Sequence, residues 1–304
     1  MRAVLVHHAD AGDGEHSQQK LLAVLAAAQI AATPLEVDPP AIRAMLRDSD
    51  SDLVVVAGGD GTTALVIATA AELLAAGERV PEIALLPIGG LNNIACAFGI
   101  AGPVEVIAGG WREGRTAPID VGVAHGQWGR RCFVEAVGFG ALSDGFATIT
   151  VSPEGAAEKK AVGRAAFRDA LTVAQAVDVE LRLDGERLAR PLLMLEVLNL
   201  PRIGPRLHLA PDADPADGRL DVLMIGPEDR AVMLDWLDGD CAACCPIPTR
   251  SAAEIRVDAG FGECRLDDPK RARPTGTTAV TLSTMPHPVT LRLPRLQPNT
   301  GRCE

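Results

Sequence analysis

Residues 53–62, LVVVAGGDGT, combine the residue types and spacing best suited to chemistry. Gly58, Gly59 and Gly61 have no Cβ, so backbone N–H groups around them can approach an anion closely. Asp60 is the odd member of the string. A carboxylate among such amides would repel a bare phosphate, and it points instead to a divalent metal or to a hydroxyl to be deprotonated. The bland alternative is a tight strand-to-helix turn with no ligand. A second glycine-rich stretch, Pro87, Ile88, Gly89, Gly90, Leu91, Asn92, Asn93, again follows a short apolar run. Asn92 would cap a following helix whether or not a ligand binds. Two such loops are harder to account for without a phosphate or nucleotide, which makes Gly58, Gly59, Asp60, Gly61, Thr62, Gly89, Gly90 and Asn92 the candidate contacts.

The elements that hold these loops are legible around them. Four aliphatics and an alanine ahead of Gly58 suit a strand buried on both faces of a parallel sheet. Thr62 stands at an N-cap position before an alanine-rich helix over residues 63–76. Residues 4–6, 35–37 and 82–86 read as further strands, residues 17–28 as a helix, and Pro39-Pro40 as the opening of a helix over 41–47. Loops at the carboxyl ends of such strands share the edge where open α/β sheets bind ligands. His7 and His8 read as a strand end facing solvent rather than as ligands. Residues 109–116 look like a crossover, after which the pattern changes. Short alternating or apolar runs at 118–124, 131–137, 179–183, 192–198, 219–225, 253–257, 264–266, 278–282 and 289–293 predict a mostly antiparallel β-sandwich, interrupted by one helical stretch at 156–176. Asp184-Gly185-Glu186 sits between two strand-like runs and reads as a hairpin turn.

Composition narrows the function classes. At 304 residues the chain has room for two cores, and 47% hydrophobic with 23% charged residues is a globular balance. Aromatics at 3% and a net charge of −11 argue against a nucleic-acid partner. The N-terminal residues read as a first strand rather than a signal peptide, and no run approaches the apolar length of a membrane span, so a cytoplasmic protein is expected. Seven cysteines without a regular framework fit reduced thiols. Cys241, Cys244 and Cys245 form a metal half-site for which the sequence offers no neighbouring histidine. Lys159, Lys160, Arg164 and Arg168, with Lys270, Arg271 and Arg273, are candidates for transient contact with an anionic membrane surface, against the plainer reading of solvated charge. Oligomeric state stays open, a homodimer included.

The string GGDGT after a buried strand resembles the nucleotide loop of the diacylglycerol kinase catalytic-domain family, which includes bacterial lipid kinases and sphingosine kinases; NAD kinases carry the same string. The later series favours the former. Pro87, Gly89 and Asn92 are similar to that family's Pro-x-Gly-Thr-x-Asn, and Ile119-Asp120-Val121-Gly122 to its Ile-Asp-x-Gly. Residues 133–141 resemble Phe-x-Asn-x-x-Gly-x-Gly with Glu135 for the asparagine, and Asn199, Gly204, Pro211, Ala213, Asp217, Gly218 and Leu220 keep the family order. The resemblance implies an α/β, Rossmann-like nucleotide-binding domain at 1–117 plus 289–304, to which a final strand returns, and a β-sandwich domain at 118–288.

It also implies ATP and Mg²⁺ as cofactors and a lipid or amphiphilic alcohol as substrate. Ala11 and Gly12 remain of a nucleotide-touching loop in which His8 replaces an asparagine. Asp217, with carbonyls of Asp214 and Arg219, matches a structural Mg²⁺ turn. Asp60 would hold the catalytic metal. The family's general base is a glutamate two residues after an aspartate matched by Asp267, and here that place is Pro269. Either Asp267 or Asp268 substitutes as base or the site binds without turnover, the pseudokinase alternative.

Overall fold

The computed structural model describes residues 1–8, 16–150, 155–239, 243–261, 263–267, 279–285 and 288–296. Ala11, Gly12, Cys241, Asp268, Pro269, Lys270, Arg271 and Arg273 lie outside the described residues. In chain order the elements are β1 (Arg2–His7), α1 (Gln18–Ala27), β2 (Ala31–Glu36), α2 (Pro39–Asp48), β3 (Leu53–Gly58), α3 (Asp60–Ala75), β4 (Glu82–Pro87), α4 (Asn93–Ala97), α5 (Val104–Gly110) and β5 (Arg115–Ile119). The strands β6 (Gly122–Gly126), β7 (Gly129–Phe133) and β8 (Ala136–Gly140) follow, then α6 (Ala141–Ala147), α7 (Gly155–Val173), β9 (Val177–Leu183), β10 (Glu186–Leu192), β11 (Met194–Leu198) and β12 (Leu220–Ile225). A 3₁₀ turn leads into α8 (Arg230–Asp238), and β13 (Arg250–Ala252), β14 (Glu254–Ala259), β15 (Cys264–Leu266), β16 (Val280–Thr284) and β17 (Val289–Leu293) complete the chain.

Two compact units result, one from Met1–Asp120 with Pro286–Glu304 and the other from Val121–Met285. The first holds a six-stranded sheet in the order β2-β1-β3-β4-β17-β5. Its first four strands are mutually parallel; β17 runs parallel to β4 and antiparallel to β5. Every residue of β3 is buried, as a central strand with both faces covered requires. The winding direction reverses between β1 and β3, which is the switch point where α/β sheets take ligands. His7 pairs with Ala57 and Gly58 with Pro87, so the carboxyl ends of β1, β3 and β4 stand side by side. Asp38 caps α2, its carboxylate accepting the Ala41 N–H at 2.9 Å, and the two prolines occupy the first turn, where no N–H is needed. Residues 109–116 are not a plain crossover. Helix α5 runs into them, Trp111 is fully buried, and β5 begins at Arg115.

The second unit is an antiparallel sandwich of two sheets, β10-β9-β14-β16-β6-β7 and β13-β12-β11-β8-β15. Phe133, Phe139, Leu181, Leu195, Val222, Ile255 and Leu282 meet in the core shared by the sheets. A separate core joins the five-stranded sheet to helices α6, α7 and α8 through Phe146, Phe167, Met194, Leu198, Leu223 and Met233. That sheet is therefore covered on both faces, and β8 and β11 are buried along their whole length. Residues 118–124, 131–137 and 192–198 read as single strands although each breaks into two, the first two at the buried charges Asp120 and Glu135 and the third at Leu193 inside an apolar run. The Asp184-Gly185 turn between β9 and β10 has both residues at positive φ, as a two-residue hairpin demands.

Among the described residues no helix is long and apolar enough to cross a membrane. On α7, Lys159, Lys160, Arg164 and Arg168 are half-buried rather than an open basic face, and Arg168 is ion-paired with Asp238. Cys132, Cys244, Cys245 and Cys264 are free thiols, while Cys96 is disulfide-bonded, a departure from the all-reduced expectation.

Candidate nucleotide-binding site

Strand β3 ends at Gly58, and Gly59, in extended backbone, is the N-cap of α3. The helix thus starts at Asp60, two residues before the expected cap. Thr62 lies inside the first turn, 8% exposed, and a Cβ on Gly58 would come within 2.9 Å of its Cβ. Its hydroxyl is not the cap; what Thr62 presents at the helix end is its amide. The first intrahelical bond runs from the Thr63 N–H to the Gly59 carbonyl at 3.1 Å. The amides of Gly61 and Thr62 therefore lie in the first turn of the helix, ahead of its first intrahelical bond, the arrangement that favours an anion.

The loop after β4 packs directly onto this one. A Cβ on Gly89 would overlap the Cα of Gly59, so the bare Gly89 lets the two backbones touch, whereas a Cβ on Gly59 would meet the Gly89 Cα at an ordinary 3.5 Å. Asn92, in the left-handed region at φ 54°, does not cap α4 with its side chain, contrary to expectation. Its Oδ1 accepts the Gly89 N–H at 3.1 Å, and its Nδ2 donates to the carbonyls of Gly89 at 2.6 Å and Pro87 at 3.2 Å, stapling its own loop. The cap of α4 comes from the neighbouring loop: Asp60 Oδ1 accepts the Ile94 N–H at 3.0 Å. Gly58, Gly59, Asp60, Thr62, Gly89, Gly90 and Asn92 are thus one cluster, with Gly61 exposed at its rim. His7, at the adjacent strand end, is buried rather than solvent-facing, and burial pushes its imidazole below the ordinary histidine range. The His8 N–H donates to the Ala57 carbonyl at 3.1 Å.

Asp267 belongs to the second unit, where it is 7% exposed at φ 50°. Its Oδ1 accepts the N–H groups of Val134 (3.1 Å), Glu135 (2.8 Å) and Ala136 (3.2 Å), and its Oδ2 that of Val134 (2.9 Å). The carboxylate thus closes the bend between β7 and β8. Asn199 Nδ2 holds the same bend through the Val134 carbonyl at 2.9 Å. Behind it lies a row that sequence reasoning did not find. Gly138 pairs with Glu196 on one side and Arg265 on the other. A Cβ on Gly138 would overlap the Glu196 carboxylate, so the bare glycine lets Glu196 reach across to Arg265 Nη2 at 2.6 Å. Both side chains are buried, at 0% and 2% exposure. Arg265 also donates from Nη1 to the Asp267 carbonyl at 2.7 Å and lies 5.6 Å above the Phe146 ring. Burial raises Glu196 to about 7 despite the pull of Arg265. The one sequence signal for this row was a glutamate inside an otherwise apolar strand.

Comparison with known proteins resolves the family. The Diacylglycerol kinase catalytic domain matches residues 2–124, and the YegS C-terminal NAD kinase beta sandwich-like domain matches residues 147–257. The chain thus carries a diacylglycerol kinase catalytic domain followed by a YegS-type C-terminal domain. It is 30% identical over 181 residues to a Diacylglycerol kinase of Bacillus subtilis, a match covering 57% of this chain and 55% of that protein. It is also 30% identical over 194 residues to a Probable lipid kinase YegS-like of Pseudomonas putida, 62% of this chain and 61% of that protein. The chain thus spans between half and two thirds of the curated relatives it matches. In fold it resembles a crystal structure of a diacylglycerol kinase from Bacillus anthracis, with TM-score 0.72, 19% identity and 97% of each chain covered. An NAD kinase from Archaeoglobus fulgidus, solved in complex with ATP, shares the fold at TM-score 0.55 and 12% identity over 97% of this chain and 94% of that one.

In family terms the Asp-Gly-x-Leu turn of this chain is Asp217 to Leu220. Asp217 Oδ1 accepts the Arg219 N–H at 2.9 Å, and Asp214 Oδ1 that of Ala216 at 3.0 Å. The Arg219 guanidinium, itself a cation and no metal ligand, is held away by Asp184 at 2.9 Å and by Ser251, so the carbonyl is what Arg219 can offer a cation. One exposed carboxylate and main-chain carbonyls fit a hard, oxygen-liganded ion. Among the described residues no group of three or more acidic, histidine or cysteine side chains is arranged for a metal. Asp184 serves as turn glue, accepting the N–H groups of Ala253 (2.9 Å) and Glu254 (2.8 Å).

Proposed function

We propose that this chain is an ATP-dependent kinase that transfers the γ-phosphate to a hydroxyl of a lipid or similarly amphiphilic alcohol. The observation that carries the reading is the glycine-on-glycine contact of Gly59 with Gly89 beyond the carboxyl ends of β3 and β4, next to the switch point of the parallel sheet and at the start of α3, within a diacylglycerol kinase catalytic domain. The amides of Gly61 and Thr62, with the glycine loop Gly58-Gly59, would bind phosphate oxygens, and Gly89, Gly90 and Asn92, with Ala11 and Gly12, would line the nucleotide. A Mg²⁺ ion, when bound, supplies charge neutralisation. Asp60 is the donor for it beside the nucleotide, while Asp217 with the carbonyls of Asp214 and Arg219 is the candidate structural site.

We assign Asp267 a positioning role rather than that of base, because its carboxylate already accepts the amides of residues 134–136. Asp268 is then the candidate base. The same geometry, with Pro269 at the family's glutamate position, favours a second reading in which the protein binds nucleotide without turnover. Calorimetry with ATP, with and without Mg²⁺, followed by label transfer from [γ-³²P]ATP to diacylglycerol, monoacylglycerol, sphingosine and NAD⁺, separates the readings. Label in a lipid supports the kinase, and label in NAD⁺ alone overturns it in favour of an NAD kinase. ATP binding with no transfer supports the second reading, and no ATP binding overturns both.

A further inference from the structure

The loop between α8 and β13 carries two adjacent cysteines in opposite environments. Cys245 is buried against Met233, 3.6 Å from sulfur to sulfur, and burial pushes its thiol up to about 11. Cys244 is exposed. The Cys245 N–H donates to the His208 carbonyl at 2.8 Å, which fixes this loop on the segment between β11 and β12 and sets Cys244 Sγ 3.4 Å from His208 Nδ1. The sequence offered no histidine near these cysteines; the fold brings one. The same Nδ1 is 3.3 Å from Arg202 Nη2. A guanidinium can only donate, which assigns Nδ1 as the unprotonated ring nitrogen, its one lone pair shared between the Arg202 N–H and the thiol hydrogen. Burial and the charge of Arg202 hold the imidazole below the ordinary histidine range, against an opposing pull from Asp212, so it is neutral near pH 7. Without a third described ligand the pair does not make a metal site.

We propose that Cys244 is a nucleophilic thiol, with His208 as its base, and a site of S-thiolation by low-molecular-weight disulfides. His208 Nδ1 takes the thiol proton as Sγ attacks one sulfur of the disulfide. The new Sγ–S bond forms while the old S–S bond breaks with its electron pair on the departing sulfur, which recovers the proton from the imidazole. The incoming disulfide is the only oxidant the step consumes.

The test is oxidised glutathione at pH 7 on the full chain, with adducts followed over time by fragment-resolved mass spectrometry, so that each cysteine is read separately. Cys245 and Cys264, both buried, and Cys132, half-buried, are internal references. Cys244 is expected to react first. His208→Gln should slow it roughly tenfold, less than the hundredfold or more of a fully positioned base because Nδ1 is shared with Arg202. Arg202→Gln keeps the histidine but removes the charge that lowers it and weakens the competing donor on Nδ1, so Cys244 should react about twofold faster. Should His208→Gln fail to give a wild-type thermal melt, Arg202→Gln alone decides. A Cys244 rate unchanged in the folded variants, or adducts that accumulate while Cys244 is spared, would overturn the proposal.

Discussion

Asp60 Oδ1 accepts the backbone N–H of Ile94 at 3.0 Å, so the acidic residue of one glycine loop caps the helix that follows the other. Charge and cap can be separated by substitution. Asp60→Ala removes both and should cost about 1 kcal/mol of stability through the lost cap. Asp60→Asn keeps an acceptor oxygen for Ile94, and its melting temperature should stay within about two degrees of wild type. If Asp60 holds the metal that accompanies nucleotide, Asp60→Asn still loses the Mg²⁺-dependent part of ATP binding in calorimetry. Full retention of that part would remove Asp60 from the metal site.

The contact of Gly59 with Gly89 involves backbone on both sides, so neither loop can yield by rotating a side chain. Gly89→Ala should therefore destabilise by about 1–3 kcal/mol, as overpacking does, and weaken ATP binding together with stability. Gly109→Ala is the control. A Cβ there meets nothing within 4 Å, and alanine in α5 should be neutral or stabilising by up to about 1 kcal/mol. Urea melts of both variants check the pair.

How much of this was legible follows from what each feature depends on. The nucleotide loops were visible because glycine and aspartate directly after a run such as residues 53–57 form a local signal. The roles inside them were not. Thr62 and Asn92 look like caps by position, but helix α3 starts earlier at Asp60, and the left-handed φ of Asn92 turns its amide back onto Gly89 and Pro87. Strand breaks at Asp120-Val121 and Val134-Glu135 were hidden because each bend carries a single buried charge, Asp120 or Glu135, between apolar flanks that read as one strand. Helix α6 was missed for its shortness and its Gly145, which a close approach to the Ala166 carbonyl requires. The row Glu196, Gly138, Arg265 depends on register among three strands distant in sequence, and no local pattern carries that.

That row makes stability depend on pH in a stated direction. Burial raises Glu196 to about 7 from an ordinary 4.5, so the folded state holds a proton that the unfolded state has released between those values. The stabilising contribution is complete below about 4.5 and is lost as pH rises through about 7. Thermal melts of wild type should accordingly fall from pH 5 to pH 8 relative to Glu196→Gln, which cannot titrate. A difference that rises with pH would mean that Arg265 holds the carboxylate ionised. Replacing Glu196 by Ala takes from the buried Arg265 guanidinium its carboxyl partner and should cost about 3–5 kcal/mol at pH 5, and less at pH 8.

Asp267 offers the sharpest division between anchoring and proton transfer. As an anchor it satisfies three buried amides, and Asp267→Ala would strand them at about 1–3 kcal/mol each, enough to threaten folding. Asp267→Asn is the informative variant, since asparagine tolerates the φ of 50° and keeps one acceptor oxygen. Were Asp267 the base, this variant would remove the acidic limb from the pH dependence of kcat/KM with little change in melting temperature. An anchor predicts the reverse: a melting temperature several degrees lower, a reduced kcat, and an acidic limb that persists because the titrating group is elsewhere. Asp268→Asn should then abolish that limb while leaving the melt unchanged.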